Sequence, residues 1–214
     1  MDQQIRISEI FYSLQGESRT IGWPTVFIRL TGCPLRCVYC DTTYAFSGGE
    51  KKSIAEILAK VECHAPRYVT VTGGEPLAQR GCIGLLEALL ERGYEVSLET
   101  SGALDVAKVP PRIIKVLDLK TPSSGEEPKN RYANLKHLSP KDQVKFVIMN
   151  DIDYQWAKAK LEQYRLAEQC EVLFSPATGF QDPTDLAEKV LRDHLPVRFQ
   201  VQLHKILWGN RPGK

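Results

Sequence analysis

Three cysteines fall in one short stretch, Gly32-Cys33-Pro34-Leu35-Arg36-Cys37-Val38-Tyr39-Cys40-Asp41-Thr42. The CxxxCxxC spacing lets a single loop wrap three corners of a cuboidal 4Fe-4S cluster. Three thiolates leave the fourth iron open, and an open iron binds a substrate or cofactor rather than only storing an electron. A structural zinc site is the alternative. It wants four closed ligands, and no CxxC or HxxxH partner lies elsewhere, although the Cys63-His64 pair could in principle complete a tetrahedron. Cys63, Cys82 and Cys170 stand alone, in or beside apolar segments, and are expected to pack as small hydrophobes.

The elements that must position these thiols are legible as short β-branched runs bounded by turn residues. Strands are predicted near 25–30, 68–71, 95–98, 113–119, 143–149, 171–174 and 198–203. Helices are predicted over 53–61, 83–92, 153–165 and 184–193; the first opens with Ser53 and Glu56 in capping-box spacing and places Ile54, Ile57, Leu58 and Val61 on one face. Strand alternating with helix predicts an α/β fold, a parallel sheet with right-handed crossovers, as an open sheet or an incomplete TIM-like barrel. In such folds ligands sit at the C-terminal ends of strands. The cysteine loop follows the first predicted strand, Thr72-Gly73-Gly74-Glu75-Pro76 the second and Glu99-Thr100-Ser101-Gly102 the third. Asp118-Leu119-Lys120 follows the fourth, Ser175-Pro176-Ala177 the sixth, and His204 closes the last. Any one of these is commonly a turn; together they gather polar and glycine residues on one rim. The polar stretch 121–131 is either an active-site lid or a solvated surface loop.

A chain of 214 residues fits a single domain, 1–214. Its 28 basic and 26 acidic side chains give a formal net charge of +2, without the electrostatic footprint of a nucleic-acid or membrane binder, so a small-molecule substrate is expected. Charges at Asp2, Arg6 and Glu9 run through the first ten residues, which lack the apolar core of a signal peptide, and no apolar run approaches the roughly 20 residues that span a bilayer, which points to the cytosol. In that reducing compartment the six cysteines are not expected to form disulfides.

The CxxxCxxC loop after one strand, with Gly73-Gly74-Glu75-Pro76 after the next, resembles the radical S-adenosylmethionine (SAM) superfamily. The resemblance implies a partial barrel and a cluster held by Cys33, Cys37 and Cys40, with SAM on the fourth iron. Gly73, Gly74 and Glu75 would meet the methionine amino group, and Tyr39, Cys40 and Asp41 would flank the cofactor. Glycines allow close backbone approach, and carbonyls and a carboxylate accept from an ammonium. Glycyl-radical activating enzymes share these motifs and are the alternative within the superfamily.

A narrower resemblance, to the 7-carboxy-7-deazaguanine synthase family, rests on Leu14-Gln15-Gly16-Glu17, Gly22-Trp23-Pro24 leading into the cysteines, Cys40-Asp41-Thr42, Glu99-Thr100-Ser101-Gly102 and Gln202-Leu203-His204-Lys205. It implies that 6-carboxy-5,6,7,8-tetrahydropterin is contracted to a 7-deazapurine with loss of ammonia. Leu14, Gln15, Gly16, Arg29, Thr100 and His204 would meet the substrate, and Gly102, Lys120, Ser124 and Ser175 would line SAM. Arg29 suits a carboxylate through its planar fork, and Phe27, Ile28 and Leu30 around it argue for burial rather than solvent. Thr42 is implied to ligate Mg2+, the alternative being an Asp41-Thr42 pair that closes the loop. His204 either meets the substrate or is a satisfied histidine at a strand end. A flavodoxin- or ferredoxin-like electron donor and a homodimer are implied as well. The basic tail 206–214 either approaches the substrate or frays.

Overall fold

The computed structural model describes residues 4–209, 211 and 213. One sheet of nine strands runs through it: β1 (Gln4–Leu14), β2 (Pro24–Leu30), β3 (Glu50–Ser53), β4 (Tyr68–Gly73), β5 (Glu95–Thr100), β6 (Ile114–Asp118), β7 (Gln143–Ile148), β8 (Glu171–Pro176) and β9 (Arg198–Phe199). Their spatial order is β3-β1-β2-β4-β5-β6-β7-β8-β9, and the two ends do not pair, so the barrel is partial. From β2 to β9 every pairing is parallel, as expected from the alternating pattern. β1 and β3, which the sequence reading omitted, pair antiparallel at the β2 edge. The segment QIRISEIFYSL mixes charged and apolar residues, and it becomes a strand because β2 and β3 supply ladders on both of its sides.

Helices α1 (Ile54–Glu62), α2 (Cys82–Glu91), α3 (Asp151–Gln163), α4 (Leu166–Gln169) and α5 (Pro183–Arg192) occupy the crossovers. The capping box of α1 forms as read: the Glu56 amide donates to Ser53 Oγ and the Ser53 amide to the Glu56 carboxylate. The β5–β6 and β6–β7 connections carry no α-helix; Pro110-Pro111, Pro122, Pro128 and Pro140 interrupt them, and the second holds only 3-10 turns. The last predicted strand shrinks to two residues, and 203–208 instead form α6 (Leu203–Trp208), so His204 lies on a helix and not at a strand end.

Along the parallel strands, side chains alternate between the two faces of the sheet. Val69, Val71, Val96, Leu98, Leu117, Val144, Phe146, Ile148, Val172 and Phe174 belong to the buried apolar core with Ile57, Leu85, Leu89 and Leu161 of the helices. Positions between them, such as Thr72, Glu99, Asp118, Lys145 and Ser175, line the barrel interior. The core therefore lies between sheet and helices, and the interior is left for chemistry. Cys82 and Cys170 are buried as expected, whereas Cys63, at the end of α1, is exposed.

The 15–23 connection spans the unpaired gap of the barrel. The Ser18 amide donates to Gln200 Oε1 at 2.9 Å, the Arg19 amide to Gln143 Oε1 at 3.1 Å, and the Leu203 amide to the Gly16 carbonyl at 3.0 Å. Side-chain amides thus stitch the first turn of the chain to β7 and to the segment leading into α6.

Candidate active site

A cavity of about 630 Å³ fills the barrel mouth, and the three clustered cysteines lie in its wall. Their loop leaves β2 through Gly32, whose φ of +99° suits glycine. It packs backbone to backbone on the turn after β4: the Gly74 amide donates to the Leu30 carbonyl at 3.1 Å and the Glu75 amide to the Gly32 carbonyl at 2.8 Å. A Cβ on Gly74 would fall 2.2 Å from the Gly32 oxygen, so no larger residue fits. On its other side the loop is covered by 121–131, through Val38 N to Ser124 O at 3.0 Å and Arg36 N to Glu126 Oε1 at 2.5 Å. That stretch is an ordered cover bonded to the cysteine loop.

Among the described residues, no three His, Cys, Asp or Glu side chains are gathered closely enough to hold a single ion. Cys33, Cys37 and Cys40 all line the cavity, and three thiolates without a fourth protein ligand beside them suit a cuboidal cluster with one open iron. Burial raises the Cys33 thiol, with the neighbouring Cys40 adding to the rise. Burial pushes the Cys37 thiol up to about 11 against the pull of Lys120, with Asp118, Cys40 and Cys33 adding to the rise.

Of the expected site residues, Leu14, Gln15, Gly16, Arg29, Tyr39, Asp41, Thr42, Gly73, Gly74, Thr100, Lys120, Ser175 and His204 line this cavity with the cysteines. Glu75, Gly102 and Ser124 do not. The Glu75 carboxylate is fully buried and saturated, accepting from Thr100 Oγ1, the Ser101 amide and hydroxyl, and the Leu77 amide at 2.5–3.0 Å. It braces the turns after β4 and β5 and is not a free acceptor. Ser124 Oγ is spent on the Thr121 carbonyl at 2.6 Å, and the Gly102 carbonyl accepts from Asn134 Nδ2 at 3.0 Å.

The substrate-side residues are held tightly. Gln15 is buried, donating to Thr70 Oγ1 at 3.0 Å while its Oε1 accepts the Glu17 amide at 3.2 Å. A Cβ on Gly16 would sit 2.4 Å from His204 Nδ1, so this glycine lets α6 close on the loop. Burial lowers the His204 pKa, partly offset by Glu17 and Asp41. Arg29 Nε donates to Glu9 Oε1 at 2.7 Å, and the Tyr44 hydroxyl donates to the same oxygen at 2.7 Å. Thr42 Oγ1 lies 3.8 Å from Cys40 Sγ, and Asp41 accepts from Gln202 Nε2 at 3.3 Å.

A row of alternating charges crosses the floor. Gln202 Nε2 reaches Glu17 Oε1 at 2.9 Å, Lys145 Nζ sits 2.8 Å from Glu17 Oε2 and 3.5 Å from Asp118 Oδ2, and Lys120 Nζ lies 2.9 Å from that same Asp118 oxygen. Burial alone would raise the Glu17 carboxyl, but the Lys145 charge and hydrogen bond and the Gln202 amide bring it down to about 2. Lys120 also stands 5.7 Å from the Tyr39 ring centre. Tyr39, Asp118 and Ser175 line this cavity, and their Oη, Oδ1 and Oγ atoms are buried without a hydrogen-bond partner.

Sequence reasoning placed Glu99 and Asp118 on the rim without a role for either, gave Glu17 no role, and missed Glu9 and Lys145. The signal was present: within Glu95–Thr100 and Gln143–Ile148, the polar side chains occupy alternate positions. That alternation reads as a solvated face until the sheet is known to curl around a cavity.

Residues 27–167 match the model of the radical SAM superfamily. A protein of Chlorobaculum tepidum named 7-carboxy-7-deazaguanine synthase is 46% identical over 208 residues, covering 96% of this chain and 94% of that protein. A second of that name, from Koribacter versatilis, is 44% identical, with coverages of 95% and 97%. The crystal structure of QueE from Escherichia coli superposes with a TM-score of 0.77 at 24% identity, covering 93% of this chain and 94% of that one, and shares the fold. Similarity of this extent, over a chain whose cysteine loop and glutamine-glycine loop face one cavity, makes the protein a member of the 7-carboxy-7-deazaguanine synthase family of the radical SAM superfamily.

Proposed function

We propose that this enzyme converts 6-carboxy-5,6,7,8-tetrahydropterin to 7-carboxy-7-deazaguanine with release of ammonia, in the biosynthesis of queuosine-type nucleosides. One observation carries the reading. The cysteine trio and the 14–17 loop line the same cavity, and Gln202 Nε2 reaches both Glu17 Oε1 at 2.9 Å and Asp41 Oδ2 at 3.3 Å. Cys33, Cys37 and Cys40 would hold the 4Fe-4S cluster. Tyr39, Cys40, Asp41, Gly73, Gly74, Lys120 and Ser175 would seat SAM, with Glu75, Gly102 and Ser124 bracing that wall from behind. Cluster and SAM, once bound, supply a carbon-centred radical able to take one hydrogen atom.

The protein's own part is binding and orientation, since a radical held a few tenths of an ångström out of place attacks the wrong bond. Leu14, Gln15 and Gly16 present a pterin edge with backbone groups and an amide pinned by Thr70. Arg29, on a wall with Phe11 and Phe27, offers its fork to the substrate carboxylate while Glu9 keeps it aimed. His204 and Thr100 complete that side. The Thr42 hydroxyl faces the cavity, which supports a role as Mg2+ ligand with substrate oxygens and water filling the shell. Val38 is 62% exposed, bringing the cluster loop to the surface where a flavodoxin- or ferredoxin-like donor can deliver an electron. The single sheet and single core support one domain over 1–214. No helix among the described residues is long and apolar enough to cross a membrane, which is compatible with the cytosolic homodimer expected from the resemblance. Anaerobic reconstitution with iron and sulfide, reduction, and mass spectrometry of SAM and pterin mixtures test the reading: the deazaguanine product and ammonia are expected, and SAM cleavage without pterin conversion refutes it.

A further inference from the structure

Five carboxylates line the cavity among the described residues: Glu9, Glu17, Asp41, Glu99 and Asp118. Four have a cation within 4 Å: Glu9 has Arg29 at 2.7 Å, Glu17 has Lys145 at 2.8 Å, Asp118 has Lys120 at 2.9 Å, and Asp41 has Lys205 at 3.9 Å. Glu99 has none. It points inward from β5, and its hydrogen-bond donors are neutral: Thr72 Oγ1 reaches Oε2 at 2.9 Å and Gln15 Nε2 reaches Oε1 at 3.4 Å. A buried carboxylate without a counter-charge is costly, and as a neutral acid this group keeps one O–H to give.

Its setting joins both halves of the site. Gln15, which donates to it, belongs to the substrate loop; Glu17 of that loop, Lys145 of β7 and Arg29 of β2 are the charged groups that face it. Burial first and the Glu17 charge second raise the Glu99 pKa above the ordinary carboxyl value, against smaller opposing pulls from Lys145, Thr72 and Arg29. Two neighbouring carboxyls are thus driven apart, Glu17 toward the ionised form and Glu99 toward the protonated one, which is how acid and base roles are divided in one pocket.

We propose that Glu99 is the catalytic acid and base of the ammonia-releasing step, an inference that rests on the function proposed above. The bond between carbon and the departing nitrogen breaks with its electron pair leaving on nitrogen, which gains the Glu99 proton and departs as ammonia. The Glu99 carboxylate then takes a proton from the atom adjoining that carbon, whose freed electron pair forms the new double bond. Glu99 ends as it began, and the step needs neither oxidant nor reductant.

The test is Glu99→Gln, isosteric and unable to give up a carboxyl proton, in reconstituted enzyme with SAM, dithionite and substrate deuterated at C6. Deuterium transfer to the 5′-deoxyadenosyl group should stay within about threefold of wild type, while ammonia and product fall by about a hundredfold or more, the usual loss for an acid–base group. A species retaining the nitrogen should accumulate. Wild-type ammonia release by the variant overturns the proposal, and so does label transfer that falls in step with product, since Glu99 would then only position the substrate. Wild-type enzyme that leaves the pterin unconverted overturns the function proposed above and this step with it; wild-type turnover beside an unimpaired variant overturns this step alone. Should Glu99→Gln lose its cluster, Glu99→Asp decides by pH: product formation falls as pH rises through the pKa of the acid, and that limb should move in the variant. An unmoved limb overturns the assignment.

Discussion

Lys145→Met is the sharpest probe of the charged floor. The ammonium lies 2.8 Å from Glu17 and 3.5 Å from Asp118, and all three side chains are only 15–17% exposed. Burial would lower the Lys145 pKa, but Glu17, Asp118 and Glu99 hold it well above the ordinary value, so the group is a cation at every working pH. Removing it strands Glu17 with the Gln202 amide as its remaining side-chain donor at 2.9 Å, whereas Asp118 keeps Lys120. Breaking a buried pair from one side costs about 3–5 kcal/mol. In a chain of this size each kcal/mol moves the midpoint by about 2–4 °C, so a drop of about 10 °C is expected. Adding Glu17→Gln removes the stranded charge, and the double variant should recover about half of that loss, a coupling of about 2 kcal/mol. Circular dichroism melts of reconstituted protein, taken anaerobically at one scan rate with cluster absorbance followed in parallel, provide the readout. A single variant melting within 3 °C of wild type, or a double variant melting no higher than the single, would refute the reasoning.

Four further outcomes follow. Glu17, held at about 2 in the fold against 4.5 unperturbed, adds stability that is fully present above pH 4.5 and lost as the pH falls toward 2; the loss is about 3 kcal/mol, and Lys145→Met should abolish most of it in acid unfolding curves. Cys37→Ala should lose both the brown colour and reductive SAM cleavage, and retained cleavage would remove Cys37 from the cluster. Thr42→Ala should weaken Mg2+ stimulation of turnover while iron content stays unchanged; equal stimulation would exclude it as a ligand. Gly16→Ala places a methyl group 2.4 Å from His204 Nδ1, and it should raise KM for the pterin about tenfold or more with little change in SAM affinity; an unchanged KM would place His204 outside substrate binding.

The features legible in the sequence are those set by local rules. The Ser53–Glu56 box forms because both partners lie within one helical turn, and β2, β4, β5, β7 and β8 emerge because β-branched runs end in glycine, proline or polar turns. The rim location of the cysteines and of the glycine turn followed from strand polarity alone. What escaped was fixed by tertiary partners. β1 reads as an irregular mixture because two faces of it see different neighbours, and α6 was taken for strand because ValGlnLeuHis alternates until Gly16 gives the helix a surface to dock on. Glu75 carries the motif, but its carboxylate turns away from the cavity toward Ser101 and Thr100, residues 26 and 25 positions further on. No spacing rule reveals that. The roles of Glu99 and Lys145 were hidden because both are ordinary polar positions in half-polar strands, and they gain meaning only once β5 and β7 are known to line one cavity.

The seam at 15–23 has a mechanical consequence. Everywhere else, parting two neighbouring strands would tear a continuous ladder of main-chain bonds, as between β7 and β8. Along the first turn of the chain no ladder forms, and separate contacts resist instead: amide bonds worth about 1 kcal/mol each, and the Glu17–Lys145 ion pair at 2.8 Å. The molecule is therefore softest along one line, and that line carries Gln15, Gly16 and Glu17 on its inner edge. Gln202, which bonds both Glu17 and Asp41, and Lys205, 3.9 Å from Asp41, tie this line to the cysteine loop, so a bulky, flat guest admitted by breathing along it would be felt at that loop.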